Sequence, residues 1–193
     1  MKKARSILTA ALVLMVTGAG AYVLFRDTSG TLAPRMISST ASVVESMPPV
    51  QVVPFDAKLV KPYENKKFRF RLKLPDDFTA QEFPDEESTM TSIIFQNSKG
   101  EGIQVAVTPD KGDTRVLTAD DVRSSLPDMK VVDDQALEIG DDYKGVAFRS
   151  NDPAFNGDSR EVWFYFRGNL FQISTYSKFD PLLKAIFSSW QFF

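Results

Sequence analysis

Residues 160–193 constrain the fold more than any other stretch of this chain. They read REVWFYFRGNLFQISTYSKFDPLLKAIFSSWQFF. Two β-rich runs flank Gly168 and Asn169, and a two-residue loop of that kind suits a type I′ or II′ turn. In that register Phe166 faces Phe171, Phe164 faces Ile173 and Val162 faces Thr175. Side chains alternate along a strand, so these six share one face, and an almost wholly apolar face must be buried. The opposite face carries Trp163, Tyr165, Gln172, Ser174 and Tyr176, which are aromatic or polar-tipped. A slip of one residue would exchange the faces, so the register is strongly specified. A helix follows, with Asp180 as its cap and Pro181 in its first turn. Leu182, Leu183, Ile186 and Phe187 form a stripe that can lie across the apolar sheet face. Trp190, Phe192 and Phe193 are predicted to pack rather than extend into water.

What can be built on such a scaffold is narrowed by two absences. The chain has no Cys and no His. Disulfides, thiol nucleophiles, Cys/His zinc sites and histidine-based triads are therefore excluded, and catalysis would have to rest on Asp, Glu, Lys, Tyr, Ser or Arg. No glycine-rich phosphate loop is present. The charge outside residues 1–54 is acidic, which argues against a nucleic-acid-binding module. The loop at 152–161 carries carboxylates and a glycine, but Ala154 and Trp163 stand where calcium ligands would be required, so no metal site is expected. The paired acids at 120–121, 133–134 and 141–142 are sequence neighbours, which point apart on a strand and make poor carboxylate dyads. No cofactor is expected.

The N-terminus has its own pattern. Lys2, Lys3 and Arg5 precede an apolar run over 7–25, close to the ~20 residues that span a bilayer as a helix. The basic flank belongs inside, which places the remainder outside the cytoplasm. Residues 1–26 are read as a membrane anchor. The alternative is a signal peptide cleaved near Ala21, since Ala19-Gly-Ala21 resembles a cleavage site. Residues 27–54, rich in Ser, Thr and Pro, read as a linker, and residues 55–193 as a globular domain that folds alone as a monomer.

Within that domain, Phe68, Phe70, Leu72 and Leu74 alternate with Lys67, Arg69, Arg71 and Lys73, a half-buried strand with a basic outer stripe. Strands are expected at 90–96 and 103–107. Thr118 opens a helix with Asp121 at the capping-box position, and Val122 and Leu126 supply its apolar face. Further strands are expected at 131–139 and 143–150, the latter with Val146 and Phe148 facing the core. Asn156-Gly157 looks like a tight turn, but burial of Phe148 favours a longer or bulged loop across 151–159.

The order of these elements resembles PsbP-like domains. Tyr63, Asn65, Phe68, Phe70, Leu72, Pro75 and Phe78 are similar to that family's opening pattern. Ser189, Trp190 and Phe192 resemble its closing "S-[FW]-x-F" strand. The resemblance covers residues 60–193, and its motifs are fold signatures rather than catalytic ones. It implies an α+β fold: a central antiparallel sheet flanked by helices in an α/β/α sandwich, preceded here by one transmembrane helix. The family includes the photosystem II subunit PsbP and a Ran-binding nuclear import factor, and its bacterial relatives are often membrane-tethered. What it implies about function is docking on a larger partner, without shared enzymatic activity.

Three readings follow. The first is a non-enzymatic, extracytoplasmic, membrane-tethered accessory domain that docks on an unknown envelope protein or complex. The second is a small-ligand-binding domain with an apolar pocket between sheet and helix. The third is a hydrolase based on Asp or Glu. For the first, the candidate docking residues are Trp163, Tyr165, Gln172, Ser174 and Tyr176, since aromatic side chains with polar tips are enriched at interface hot spots. The same face would instead be unavailable if the Thr118 helix or the stretch before Tyr63 covered it. The basic stripe Lys67, Arg69, Arg71 and Lys73 is the next candidate.

Overall fold

The structure, a computed structural model, describes residues 47–84, 90–110, 112, 114–139 and 141–193. The expected anchor lies outside the described residues. Among those described, no helix is long and apolar enough to cross a membrane. The strands in chain order are β1 (Leu59–Asn65), β2 (Phe70–Pro75), β3 (Thr79–Pro84), β4 (Thr91–Gln96) and β5 (Gly102–Pro109). Helix α1 (Ala119–Ser125) precedes β6 (Val132–Ile139), β7 (Tyr143–Ser150), β8 (Ser159–Phe166) and β9 (Asn169–Tyr176). Helix α2 (Asp180–Ser188) and the short β10 (Gln191–Phe192) follow.

The expected hairpin is β8–β9, but it turns one residue earlier than expected. Phe164 pairs with Phe171, Val162 with Ile173 and Phe166 with Asn169, so Arg167 and Gly168 occupy the turn. Both have positive φ, 46° and 74°. A type I′ turn requires this at its two central residues, and glycine meets it without steric cost at the second. Moving the turn by one residue moves each pairing by two, so the faces are unchanged. The shift brings the rings of Phe164 and Phe171 into a stack 5.2 Å apart.

The single central sheet of the sequence reading is two sheets. Seven antiparallel strands run in the order β3-β4-β5-β9-β8-β7-β6, and a smaller sheet has the order β1-β2-β10. The small sheet and α2 cover one face of the large sheet, called here the inner face. Phe70, Leu72 and Leu74 of β2 and Leu182, Leu183 and Ile186 of α2 meet Ile93, Phe95, Val105, Val107, Phe164, Phe171 and Ile173 there. Helix α1 covers part of the outer face, so one short helix does lie on each side.

Local signals explain most of these boundaries. The α1 capping box forms as expected: Asp121 N donates to Thr118 Oγ1 at 3.2 Å, and Thr118 N donates back to Asp121 Oδ2 at 2.9 Å. Asp180 does not cap α2. The helix grows out of a 3₁₀ turn at Ser177–Phe179. Asp180 is its first residue, and its carboxylate takes Arg160 Nε at 3.1 Å and Lys184 Nζ at 2.7 Å instead. Between β7 and β8 the loop is long, as expected, with a 3₁₀ turn at Pro153–Phe155 and Asn156 in the left-handed region. Phe148, however, pairs with Glu161 on the outer face and not with the inner core.

The chain already contacts the domain before residue 55. Pro48 O accepts from Arg149 at 3.1 Å and Val53 N donates to Lys178 O at 2.7 Å.

Candidate interaction surfaces

The outer face begins with what is covered. Leu117, Ala119 and Val122, on or beside α1, pack with Val131 against Val146 and Phe148 of β7 and Trp163 and Tyr165 of β8. Trp163 is 8% exposed and Tyr165 6%. A docked partner cannot reach them, so these two docking candidates are members of a second core, and the covering element is the Thr118 helix. Their burial also explains Phe148: its ring meets that of Trp163 edge to face, 5.4 Å between centroids.

One member of this core is charged by type. Glu161 is 1% exposed. Its Oε2 accepts from Trp163 Nε1 at 3.0 Å and from the Ser174 hydroxyl, while Oε1 has no hydrogen-bond partner among the described residues. Burial in this setting raises its pKa from the ordinary carboxyl value to about 7, although the Ser159 and Ser174 hydroxyls and the Trp163 indole oppose the shift; the charge of Asp152 adds to it. The sequence reading did not single out Glu161. The signal was available: it alternates with Trp163 and Tyr165 and so shares their face.

Beyond the reach of α1 the outer face continues over β9, β5, β4 and β3. Only Leu170 of these strands packs against the α1 cluster. By register, Gln172 lies beside Ala106, Ser174 beside Gln104, Ala106 beside Ser92 and Gln104 beside Ile94. Gln81 and Phe83 of β3 pair with Ile94 and Ser92. Gln172, Ser174, Gln104, Ala106 and Ile94 are all half-buried, and none of them belongs to either apolar cluster among the described residues. Every side chain on this strip is uncharged, in a chain whose charged fraction is 25%. Two of the expected docking residues, Gln172 and Ser174, lie here, whereas Tyr176, although in register with them, packs against Phe155 and Phe179 at the edge of the inner core.

The basic stripe lies on the opposite side of the molecule, on the small sheet. Only part of it is strand: β2 starts at Phe70, and Lys67 and Arg69 belong to the turn before it, Arg69 with φ 57°. Lys67 reaches sideways, its Nζ donating to Thr91 Oγ1 at 3.0 Å. Arg71 and Lys73 point outward from β2, since Phe70, Leu72 and Leu74 point in. Arg71 donates to Gln191 Oε1 at 3.0 Å. Glu64 stands opposite Arg71 across the β1–β2 pair, but among the described residues neither Arg69, Arg71 nor Lys73 makes an ion pair.

A cleft of about 240 Å³ lies between α1 and the β6–β7 edge, lined by Leu117, Ala119, Ala136 and Val146 with Asp120, Arg123 and Asp134 at its rim. Arg123 bridges Asp120 at 2.9 Å and Asp134 at 2.6 Å. The space between sheet and helix on this side is thus apolar within and rimmed by ion pairs. Among the described residues, no group of three or more His, Cys, Asp and Glu could hold a metal ion.

No family model matches the sequence, and no curated protein matches it. Among solved structures, the chain is similar to the solution structure of cyanobacterial PsbP (CyanoP) from Synechocystis sp. PCC 6803. The identity is 12% and the TM-score 0.48, over 69% of this chain and 92% of that one. At this level no role passes from that protein to this chain.

Proposed function

We propose that this chain is a non-enzymatic, extracytoplasmic accessory domain, tethered to a membrane through residues 7–25, that docks on a larger envelope protein or complex. The observation that carries the reading is the uncharged strip on β9, β5, β4 and β3. Interface centres are depleted of charge relative to the rest of a protein surface, and a sheet face four strands wide without Lys, Arg, Asp or Glu has that character. Gln172 and Ser174 sit on it, and Trp163 and Tyr165 flank it on β8 under α1. Side-chain chemistry agrees with a binding role, since the chain offers neither a histidine base nor a thiol nucleophile.

The test is site-specific photocrosslinking from Gln172 in the full chain in its native membranes. A discrete adduct of one mass is expected, absent when the crosslinker stands at Lys144 and lost when Ala106→Arg places a charge in the strip. Equal labelling from both positions would remove the basis for this surface. The tether is tested by carbonate extraction: recovery of a soluble form beginning at Tyr22 would mean a cleaved signal instead.

A further inference from the structure

The charges of the domain are unevenly distributed across the large sheet, although the exposed Asp76 and Asp77 directly follow β2. Residues 58–73 carry seven Lys and Arg against one Glu, and residues 113–142 carry nine Asp and Glu against three Lys and Arg. The first stretch forms β1, β2 and their turn, outside the inner face; the second supplies α1 and β6, with α1 on the outer face. The basic side has further features that a merely solvated face would lack. Phe193 and Val60 are 38% and 55% exposed, and Val60 is on β1 beside the basic strand. Phe193 N donates to Arg69 O at 3.1 Å, and Arg167 Nη1 donates to Phe193 O at 2.8 Å. Three outward cations without ion pairs among the described residues, a fourth at the turn of β8–β9, and the exposed Phe193 share one surface, with the exposed Val60 at its β1 edge.

We infer that this surface, centred on Arg69, Arg71 and Lys73, lies against an anionic lipid bilayer. The inference rests on the tether proposed above and goes beyond it. Residues 26–46 separate the apolar run from the first described residue, and 21 residues reach at most roughly 75 Å. The domain is only about 40 Å across for its length. Such a tether keeps the domain at the bilayer yet lets any side meet it, so charge selects the side. Anionic headgroups attract the basic surface and repel α1 and β6, which orients the domain rather than merely holding it. Val60 and Phe193 can enter the headgroup region beside the cations. The uncharged strip then faces away from the bilayer, open to a partner that rises above it.

The absence of Cys allows a direct test. In the full chain, Ser188→Cys, exposed on α2, carries a single donor dye, and the protein is reconstituted into vesicles of phosphatidylcholine alone or mixed with phosphatidylglycerol, each with an acceptor lipid. Energy transfer is expected to be higher with phosphatidylglycerol and to fall to the neutral level in high salt. The combined variant Arg69→Gln, Arg71→Gln and Lys73→Gln should abolish the difference, while Lys99→Gln with Lys144→Gln should preserve it. If carbonate strips the chain from both vesicles, the tether is wrong, and the surface is then tested by sedimentation of the released chain with phosphatidylglycerol vesicles. There the triple variant should bind on the order of a hundredfold more weakly. Equal transfer from both vesicles, or a triple variant indistinguishable from the parent in either format, overturns the inference. So does an acidic protein that engages these residues when the anionic vesicles do not.

Discussion

At β8 the two faces of the large sheet are buried to a similar depth, but by different chemistry. On the inner face Phe164 stacks on Phe171, and Phe171 meets Phe68, Phe70, Trp190 and Phe192 edge to face. These contacts join the β8–β9 hairpin to β2 and to the β10 end of the chain. On the outer face, under a helix of seven residues, Trp163 is tied to a carboxylate and two serines stand close by. The inner face concentrates apolar mass, while the outer face combines modest packing with a group that can change charge and a strip left open. The inner face should therefore govern whether the chain folds, and the outer face how it behaves once folded.

The most severe way to break that contrast is to remove residues 181–193 from the full chain. This strips Leu182, Leu183, Ile186, Trp190 and Phe192 from the inner core. Each fully buried side chain contributes about 1.5–3 kcal/mol, against roughly 5–15 for a whole domain. No cooperative thermal transition should remain, and a sharp one in circular dichroism would show that α2 and β10 are dispensable. Next in size, Phe171→Ala should cost about 3–5 kcal/mol in chemical denaturation. A loss under ~1 kcal/mol would mean that the inner rings are not the keystone described here.

The outer face should respond to pH. Glu161 keeps its proton in the native state up to about pH 7, whereas the unfolded chain releases it near 4.5. Between those values the native state binds more protons, so stability falls as pH rises through the window and this contribution is flat above it. The span is on the order of 3 kcal/mol. Glu161→Gln, which keeps an acceptor for Trp163 and Ser174, should flatten the profile and be the more stable protein at pH 8. An unchanged slope would place the titration elsewhere. Trp163→Phe retains most of the packing but withdraws a donor from Glu161, and about 1–3 kcal/mol should be lost. Smallest of all, Ala106→Arg in the open strip should leave stability within ~0.5 kcal/mol while removing the crosslink from Gln172. A large destabilisation there would mean that the strip is covered.

How much of this was legible in the sequence depended on whether a signal was local. Alternation assigned Phe164, Phe171 and Ile173 to the inner face, and the Thr118–Asp121 pair announced α1, because both depend on near neighbours. The turn lies one residue before the Gly-Asn pair because Gly168, with positive φ, serves as its second member rather than its first. Phe148 lies on the outer face because the sheet has two cores: its register beside Glu161 follows once Trp163 and Tyr165 are also inside. The division into two sheets had no local signal, since β2 pairs with β1 and β10 rather than with the large sheet. The uncharged strip is visible only after four strands are set in register, although every residue in it could be read beforehand.

The pairing of β2 with β10 also has a consequence in time. Arg71 and Gln191 meet across 120 residues, and the Phe70 ring stacks on Trp190 at 4.3 Å. Contacts this remote in sequence are slow to form, because the intervening chain loses its freedom before they stabilise anything. During synthesis β2 emerges early and must wait for Gln191 and Trp190 before its apolar side is closed. Until then Phe70, Leu72 and Leu74 are without their final cover, so the fold closes only once the last residues of the chain are available.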